Sequence, residues 1–310
     1  MSNTRASKLL TRRQKAKRIN QALMPYYFLA PGLLIVAGFI IYPILNVFYY
    51  SFQHYNPSRP YINGFAGFDN YIKIFTDDPI FIRSLGVSAK WVLAQVSLQL
   101  VCGLIFALVL NCKFKLRGLM RGLTFAPWAL SGVIVAIMWS LIFNEQIGVL
   151  NDLLMKLGFI DMPVAWVSDP NTAFTAVVIA ELWRGIPFFA ISLLASMQGI
   201  PSELYESCSI DGGGVLSRFW YITLPYLKNT IVFTTLLRAV WEFNSVDIIM
   251  NLTGGGPMSL TSTLSIYLAN QAIKTRNFGY GSAVGVISFM IMLVFAVVYL
   301  KLSNFGKEEK

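Results

Sequence analysis

Six runs of the sequence, at about residues 26–48, 86–110, 121–143, 173–198, 229–250 and 283–302, are mostly apolar over roughly the 20 residues a helix needs to cross a hydrocarbon core. Inside lipid each backbone N–H and C=O must find its partner within the protein, which a helix achieves within one segment. The fold class that follows is all-α, a polytopic membrane protein with six transmembrane helices. Composition agrees, because 55% of the residues are hydrophobic and only 13% are charged, where soluble domains carry about 25% charge. Buried helices of a large soluble core are the competing reading, and that shortage of charge disfavours it.

Orientation follows from the basic residues. With the N-terminus inside, the loops on that side hold 16 Lys and Arg, 7 of them within residues 1–24, against 6 on the other side. This bias places both termini in the cytoplasm. It also accounts for the net charge of +10, because the basic groups flank spans, beside anionic headgroups, and are not interleaved with exposed aromatics as nucleic-acid binding requires. The expected partner at this level is membrane lipid, not nucleic acid. The first run exceeds a signal-peptide core and no small-residue cleavage site follows it, so it is expected to be retained. The chain thus divides into a basic cytoplasmic segment at 1–24, a six-helix domain at 25–302 and a cytoplasmic tail at 303–310.

Several chemistries have no residues to support them. Cys102, Cys112 and Cys208 show no paired spacing, so neither a disulfide framework nor a zinc site is indicated. A GxxxxGK[ST] phosphate loop is absent, which excludes ATP binding of the P-loop kind. With one histidine, His54, and no GxSxG elbow, a hydrolytic triad has little to work with. No catalytic residue and no metal ligand is assigned, and the chain is not expected to be an enzyme.

Three segments expected on the outer face, residues 49–84, 144–172 and 251–281, are about 30 residues each, longer than the roughly 2–8 that join helices in bundles. They fit either a working surface or amphipathic capping structure at the membrane face.

The fourth run contains Glu181 and Arg184, and the fifth Arg238, Glu242 and Asp247. A charge at mid-bilayer costs about 2.5–3.5 kcal/mol on insertion scales, so such groups face the bundle interior or a watery cavity. Residues three or four apart share a helical face, so each acid–base pair can neutralise itself. Ion pairs that pin helices together are one reading; a polar lining for a hydrophilic solute is the other. The second gains from Trp241, Asn244 and, less well aligned, Asp247, because an indole beside an amide and a carboxylate suits a polyol. Candidate pathway residues are therefore Trp241, Asn244, Asp247, Glu181 and Arg184. Pro187 and Pro225 free backbone carbonyls within or at the start of a span, which fits a helix bordering a cavity.

Between the fourth and fifth runs, at 199–228, the chain turns polar and reads ELYESCSIDGGGVLSRFWYITLP from Glu203. Pro201 and Ser202 start a helix well, and Glu203 and Glu206 put negative charge in its first turns, where the helix dipole favours it. Asp211 and three glycines then end it, since glycine accepts backbone angles that other residues resist. A short helix projecting into the cytoplasm in front of a sharp turn has the shape to dock in a groove of a soluble partner.

This loop resembles the EAA loop of binding-protein-dependent ABC importer permeases. That motif is an E-A-A triplet, three residues, a glycine, nine residues and I-x-L-P; here it reads Glu206-Ser207-Cys208, Gly212 and Ile222-Thr223-Leu224-Pro225, with every interval matching. Ser207 and Cys208 replace the two alanines, and Gly213 stands where alanine is usual. FAGFDNYIKIF, RGLTFAPWALSGVIVAIMWSLIFN, GVLNDLL, VWEFNSVDII, LTGGGP and GYGSA extend the resemblance to sugar permeases of the carbohydrate-uptake class over about residues 25–302.

The resemblance implies a type I ABC importer permease fold in a bacterial cytoplasmic (inner) membrane. It implies a second homologous permease subunit, two ATP-binding cassette ATPase subunits and an extracytoplasmic solute-binding protein as partners. It implies no cofactor in this chain, ATP and Mg being bound by the partner ATPase, and import of a sugar or oligosaccharide by alternating access. Carried over by position, the coupling residues are Glu203, Glu206, Ser207, Asp211, Gly212, Ile222, Leu224 and Pro225, with Glu206 as an acceptor in the ATPase groove. A stand-alone secondary carrier or channel for a polar solute is the alternative, but it needs no such loop. A non-transport scaffold is disfavoured by the charged spans.

Overall fold

The computed structural model describes residues 24–303. Its first element, α1 (Met24–Ser51), is apolar on every side and buries none of its most hydrophobic stretch, while its last turns pack within the chain, the Phe48 and Phe289 rings meeting edge to face at 6.1 Å. A two-stranded antiparallel hairpin follows, β1 (Gln53–His54) against β2 (Gly64–Phe65), and then α2 (Asp69–Thr76). Asn70 joins the two parts by donating its amide to Ser51 O and Gln53 O at 3.0 and 2.9 Å.

The central element is α3 (Pro79–Asn111), 33 residues and so about 50 Å long. Its start is defined twice over: Pro79 supplies a pre-set φ at the first position, and Asp78 accepts the backbone N–H groups of Ile80 and Phe81 at 3.0 Å. Its partner is α7 (Ala173–Gln198), which buries Ala176, Val177, Ala180, Phe189, Ala190 and Leu193. The two helices approach closely at two glycines: a Cβ at Gly103 would come within 2.4 Å of Phe189 Cβ, and one at Gly185 within 2.3 Å of the Gln99 amide. α10 (Leu224–Phe243) and α13 (Phe278–Ser303) complete the long helices. Three apolar clusters result, and Val92 of α3 packs against all three.

The third apolar run departs from expectation. Instead of one straight helix it forms α4 (Arg117–Ala129) and α5 (Gly132–Ile142), bent by 96°. Pro127 lacks the N–H that would continue the ladder, Leu130 is extended, and Ser131 recaps the chain by accepting Ile134 N–H at 3.4 Å. The fifth run also differs: α10 stops at Phe243, and a separate α11 (Asp247–Leu252) begins after a break at 244–246. Among the described residues, four helices, or five if the bent pair is one span, are long and apolar enough to cross a membrane. α10 falls short of that measure because it carries Lys228, Arg238 and Glu242.

The three long segments expected on the outer face are folded. α6 (Val149–Lys156) is stitched to the chain beyond it by Asn151, which donates to Val164 O at 3.0 Å and accepts from the Trp166 indole at 2.8 Å. α12 (Leu264–Ile273) meets α3 and α13 at the Asp78 carboxylate, which accepts both the Tyr267 and the Tyr280 hydroxyl.

Candidate functional site

Pro201 leads into α8 (Ser202–Ile210), with Glu203 in its first turn, as the sequence predicts. At its end Asp211, Gly212 and Gly213 donate their N–H groups to Ser207 O, Ser209 O and Cys208 O at 3.0, 3.1 and 2.7 Å, which satisfies the last carbonyls of the helix. Gly212 sits at φ +80°, a conformation that side chains resist. Gly213 is required for a different reason: a Cβ there would lie 2.3 Å from Cys208 Sγ and 2.7 Å from Cys208 O. The sulfur thus occupies space that an alanine methyl at 213 would need, so two departures from the family pattern accommodate each other.

Beyond the turn, α9 (Val215–Arg218) runs through a widened π turn at Phe219–Thr223 directly into α10. The wide turn ends next to Pro225, which has no N–H to give to the carbonyl four residues back. α8 is tied to this segment by Tyr205 with Thr223 at 3.0 Å and by Arg218, which donates to Ser209 Oγ at 2.7 Å. Glu203, Glu206, Ser207, Asp211 and Gly212 are exposed, Pro225 is exposed, Leu224 is half-buried, and Ile222 is buried toward the bundle. The loop also presents Ile210, Val215 and Leu216, 86%, 81% and 74% exposed. The sequence does not single these three out, because lone apolar residues in a polar loop are ordinary and only their shared exposure on one protrusion marks them.

Within the membrane region the two expected ion pairs are one network. Glu181 of α7 accepts Arg184 Nε and Nη2 at 3.1 and 3.0 Å, and its Oε1 also takes Arg238 Nη2 of α10 at 2.8 Å. Arg238 Nη2 meets Glu242 Oε1 at 2.6 Å. α3 contributes Gln99, which accepts Arg238 Nε at 2.7 Å and donates to Glu242 at 3.0 Å and to Gln95 at 2.9 Å. Gln95 in turn donates to Val178 O at 3.1 Å. Two acids and two arginines cancel, and the glutamines satisfy donors and acceptors that the ions leave over. Glu242 Oε2 alone of these carboxylate oxygens is buried without a partner. Gln95 and Gln99 were not singled out from the sequence; two amides four apart within an apolar run were the available sign.

Glu181 is buried with its oxygens taken by two guanidinium groups, so it does not face an open surface. Arg184 is the network's outlet, its side chain 23% exposed. Trp241 and Asn244 are exposed on one end of α10, the indole 5.1 Å from the Phe188 ring and the amide donating to Val240 O at 2.8 Å. Asp247 is exposed too, but on α11 and against Gly132 of α5. The helical spacing expected to align Trp241, Asn244 and Asp247 is therefore interrupted by the break at 244–246, which leaves Trp241 beside Phe188 and Asp247 beside Gly132.

At the start of α3, burial alone would raise the Asp78 carboxyl, but hydrogen bonds from Tyr267, Tyr280, Phe81 and Ile80 outweigh it and hold the group below its ordinary value. The same contact, with burial as the larger cause, pushes Tyr267 up to about 12. His54, on the hairpin, faces Asp69 at 3.7 Å with both side chains exposed.

Residues 99–304 match the family described as binding-protein-dependent transport system inner membrane component. The chain is 36% identical to the trehalose/maltose transport system permease protein MalF of Thermococcus litoralis, over 99% of this chain and 100% of that one. It is 34% identical to the sulfoquinovosyl glycerol transport system permease protein SmoG of Agrobacterium fabrum, over 92% and 91%. In structure it resembles a chain of a bacterial alginate ABC transporter solved with an alginate pentasaccharide-bound periplasmic protein: TM-score 0.80, 21% identity, 93% of this chain and 96% of that one.

Proposed function

Since the chain belongs to the family of inner membrane components of binding-protein-dependent transport systems, we propose that it is the permease subunit of an ATP-driven importer for a sugar or oligosaccharide, working by alternating access. It is a multi-pass transport component, and ATP and Mg belong to a partner ATPase. The assembly we infer contains a second homologous permease, two ATPases docked on the cytoplasmic loops and an external solute-binding protein. α1, α3, the bent α4–α5 pair, α7, α10 and α13 serve as six crossings within residues 25–302, with both termini and α8 inside.

The observation that carries this reading is α8 itself: an exposed helix, stopped by Gly212 at φ +80°, at the EAA spacing and flanked by exposed Ile210, Val215 and Leu216. Acids and apolar side chains on one protrusion suit a groove that is basic at its rim and apolar at its floor. Closure of the ATPase pair would push on α8, and because α8 hangs between α7 and α10, the push would reach both helices. A carbohydrate substrate is supported by the two named relatives and by Trp241, Asn244, Asp247 and Arg184, which together offer a stacking face, amide, carboxylate and guanidinium. Glu181 acts through Arg184 by holding its guanidinium in place.

The test is solute-stimulated ATP hydrolysis by the reconstituted complex carrying Glu206→Lys or Gly212→Val. Both variants are expected to assemble in the membrane and to lose stimulation. Normal stimulation in both would overturn the coupling role, and uptake without nucleotide would favour a stand-alone carrier.

A further inference from the structure

Arg121, in the second turn of α4, buries the Nε and Nη2 atoms of its guanidinium with no hydrogen-bond partner for either. They border a cavity of about 270 Å³ lined by Leu110, Arg121, Ile191, Leu194, Ala195 and Gln198. No carboxylate is among these lining residues. Two buried guanidinium donors left without acceptors are costly, so the site calls for an anionic acceptor. Nearby, Arg117 Nε donates to Leu110 O at 2.8 Å, and Lys113 and Lys115 are exposed in the same short connection. The cavity is thus cationic at Arg121, carries the Gln198 amide, and is aliphatic elsewhere, between the end of α3, the start of α4 and the last turns of α7.

We propose that this cavity binds the phosphate of an anionic phospholipid, with Arg121 donating to phosphate oxygens and Ile191, Leu194 and Leu110 lying against the lipid's apolar part. Free phosphate shares the headgroup chemistry but has nothing to place on the aliphatic wall. No residue of α4 is fully buried within the chain, and Arg121 itself is only half-buried, so the cavity lies close to the lipid-facing side of the helix. The orientation proposed above puts this end at the cytoplasmic leaflet, where anionic lipid and flanking Lys and Arg attract each other. Because the site adjoins Gln198, one turn before α8, a lipid seated there would brace the root of the coupling loop.

The experiment is native mass spectrometry of the full complex taken from nanodiscs containing phosphatidylglycerol and phosphatidylcholine in equal parts. The wild-type complex is expected to retain phosphatidylglycerol selectively. Arg121→Ala is expected to weaken retention about tenfold or more, as loss of charged hydrogen bonds implies, and Arg121→Lys less. Ala195→Leu, which fills the cavity and leaves the charge alone, keeps the test open if Arg121→Ala fails to assemble, and should also expel the lipid. Millimolar inorganic phosphate should not compete. Equal retention by wild type, Arg121→Ala and Ala195→Leu, no retention by wild type, or displacement by phosphate would each overturn the proposal. Retention is measured without transport or nucleotide, so its failure leaves the coupling reading standing.

Discussion

Arg238 of α10 reaches Glu181 of α7 at 2.8 Å, and the same nitrogen meets Glu242 at 2.6 Å, so one guanidinium links two carboxylates on two helices. Both acids and Arg238 are buried, whereas Arg184 is half open. Removing Arg238 leaves two buried acids without their shared partner, and Arg238→Ala is expected to cost about 3–5 kcal/mol. Arg184→Ala leaves Glu181 Oε2 without its donor but keeps Arg238 on Oε1, and is expected to cost less, about 1–3 kcal/mol. Thermal unfolding of the purified variants in detergent checks the order; equal losses would mean that the network is not centred on Arg238.

Gly213 and Cys208 form a second coupled pair. Gly213→Ala should lower stability of the loop and weaken solute-stimulated ATPase activity by several-fold, because its methyl meets both Cys208 Sγ and Cys208 O. Adding Cys208→Ala removes the sulfur and leaves the carbonyl, so the double variant should recover only part of the loss. A double-mutant cycle on ATPase activity measures this, and simple additivity would show that the sulfur contact is immaterial.

For the pathway, Trp241→Ala is expected to reduce uptake about tenfold or more, since a lost aromatic contact is worth roughly 1.5–3 kcal/mol. Asn244→Ala should have a smaller effect, because its amide is partly committed to Val240 O. Assembly and basal ATPase activity should persist in both. Unchanged uptake by Trp241→Ala would return this residue to a packing role.

The Asp78 clasp predicts an acid limit. Its carboxyl lies below the ordinary 3.8 in the folded chain, so it binds protons less readily than in the unfolded chain. Its stabilising contribution is therefore complete above about 3.8 and is lost as pH falls through the lower folded value. Asp78→Asn should be less stable than wild type at pH 7, and the difference should narrow toward pH 3, as read by proteolysis of the outer segments. Asp78→Ala should cost roughly 0.5–2 kcal/mol from the cap alone. A constant difference across this range would remove the carboxylate from the explanation.

Much of the site was legible in the chain because it depends on neighbours in sequence. Pro201, the acids of α8 and the glycine stop act within one or two turns, and the EAA intervals are distances along the chain. Glu181 with Arg184 and Arg238 with Glu242 were readable as pairs for the same reason. Their union was not, because Gln99 lies 139 residues from Arg238 and nothing in either segment announces the other.

The sequence by itself determined that this is a helical membrane protein with an exposed short helix and glycine turn between its fourth and fifth apolar runs, since apolar length, charge bias and turn chemistry are local properties. Tertiary structure decided where helices break and which charges meet. The stop at Phe243 has no proline or glycine beside it to announce it, and the alignment of Arg238 with Glu181 depends on Gly185 letting α7 approach Gln99 of α3. A buried ion is stable only where its partners converge in space, and that convergence is set by helix packing.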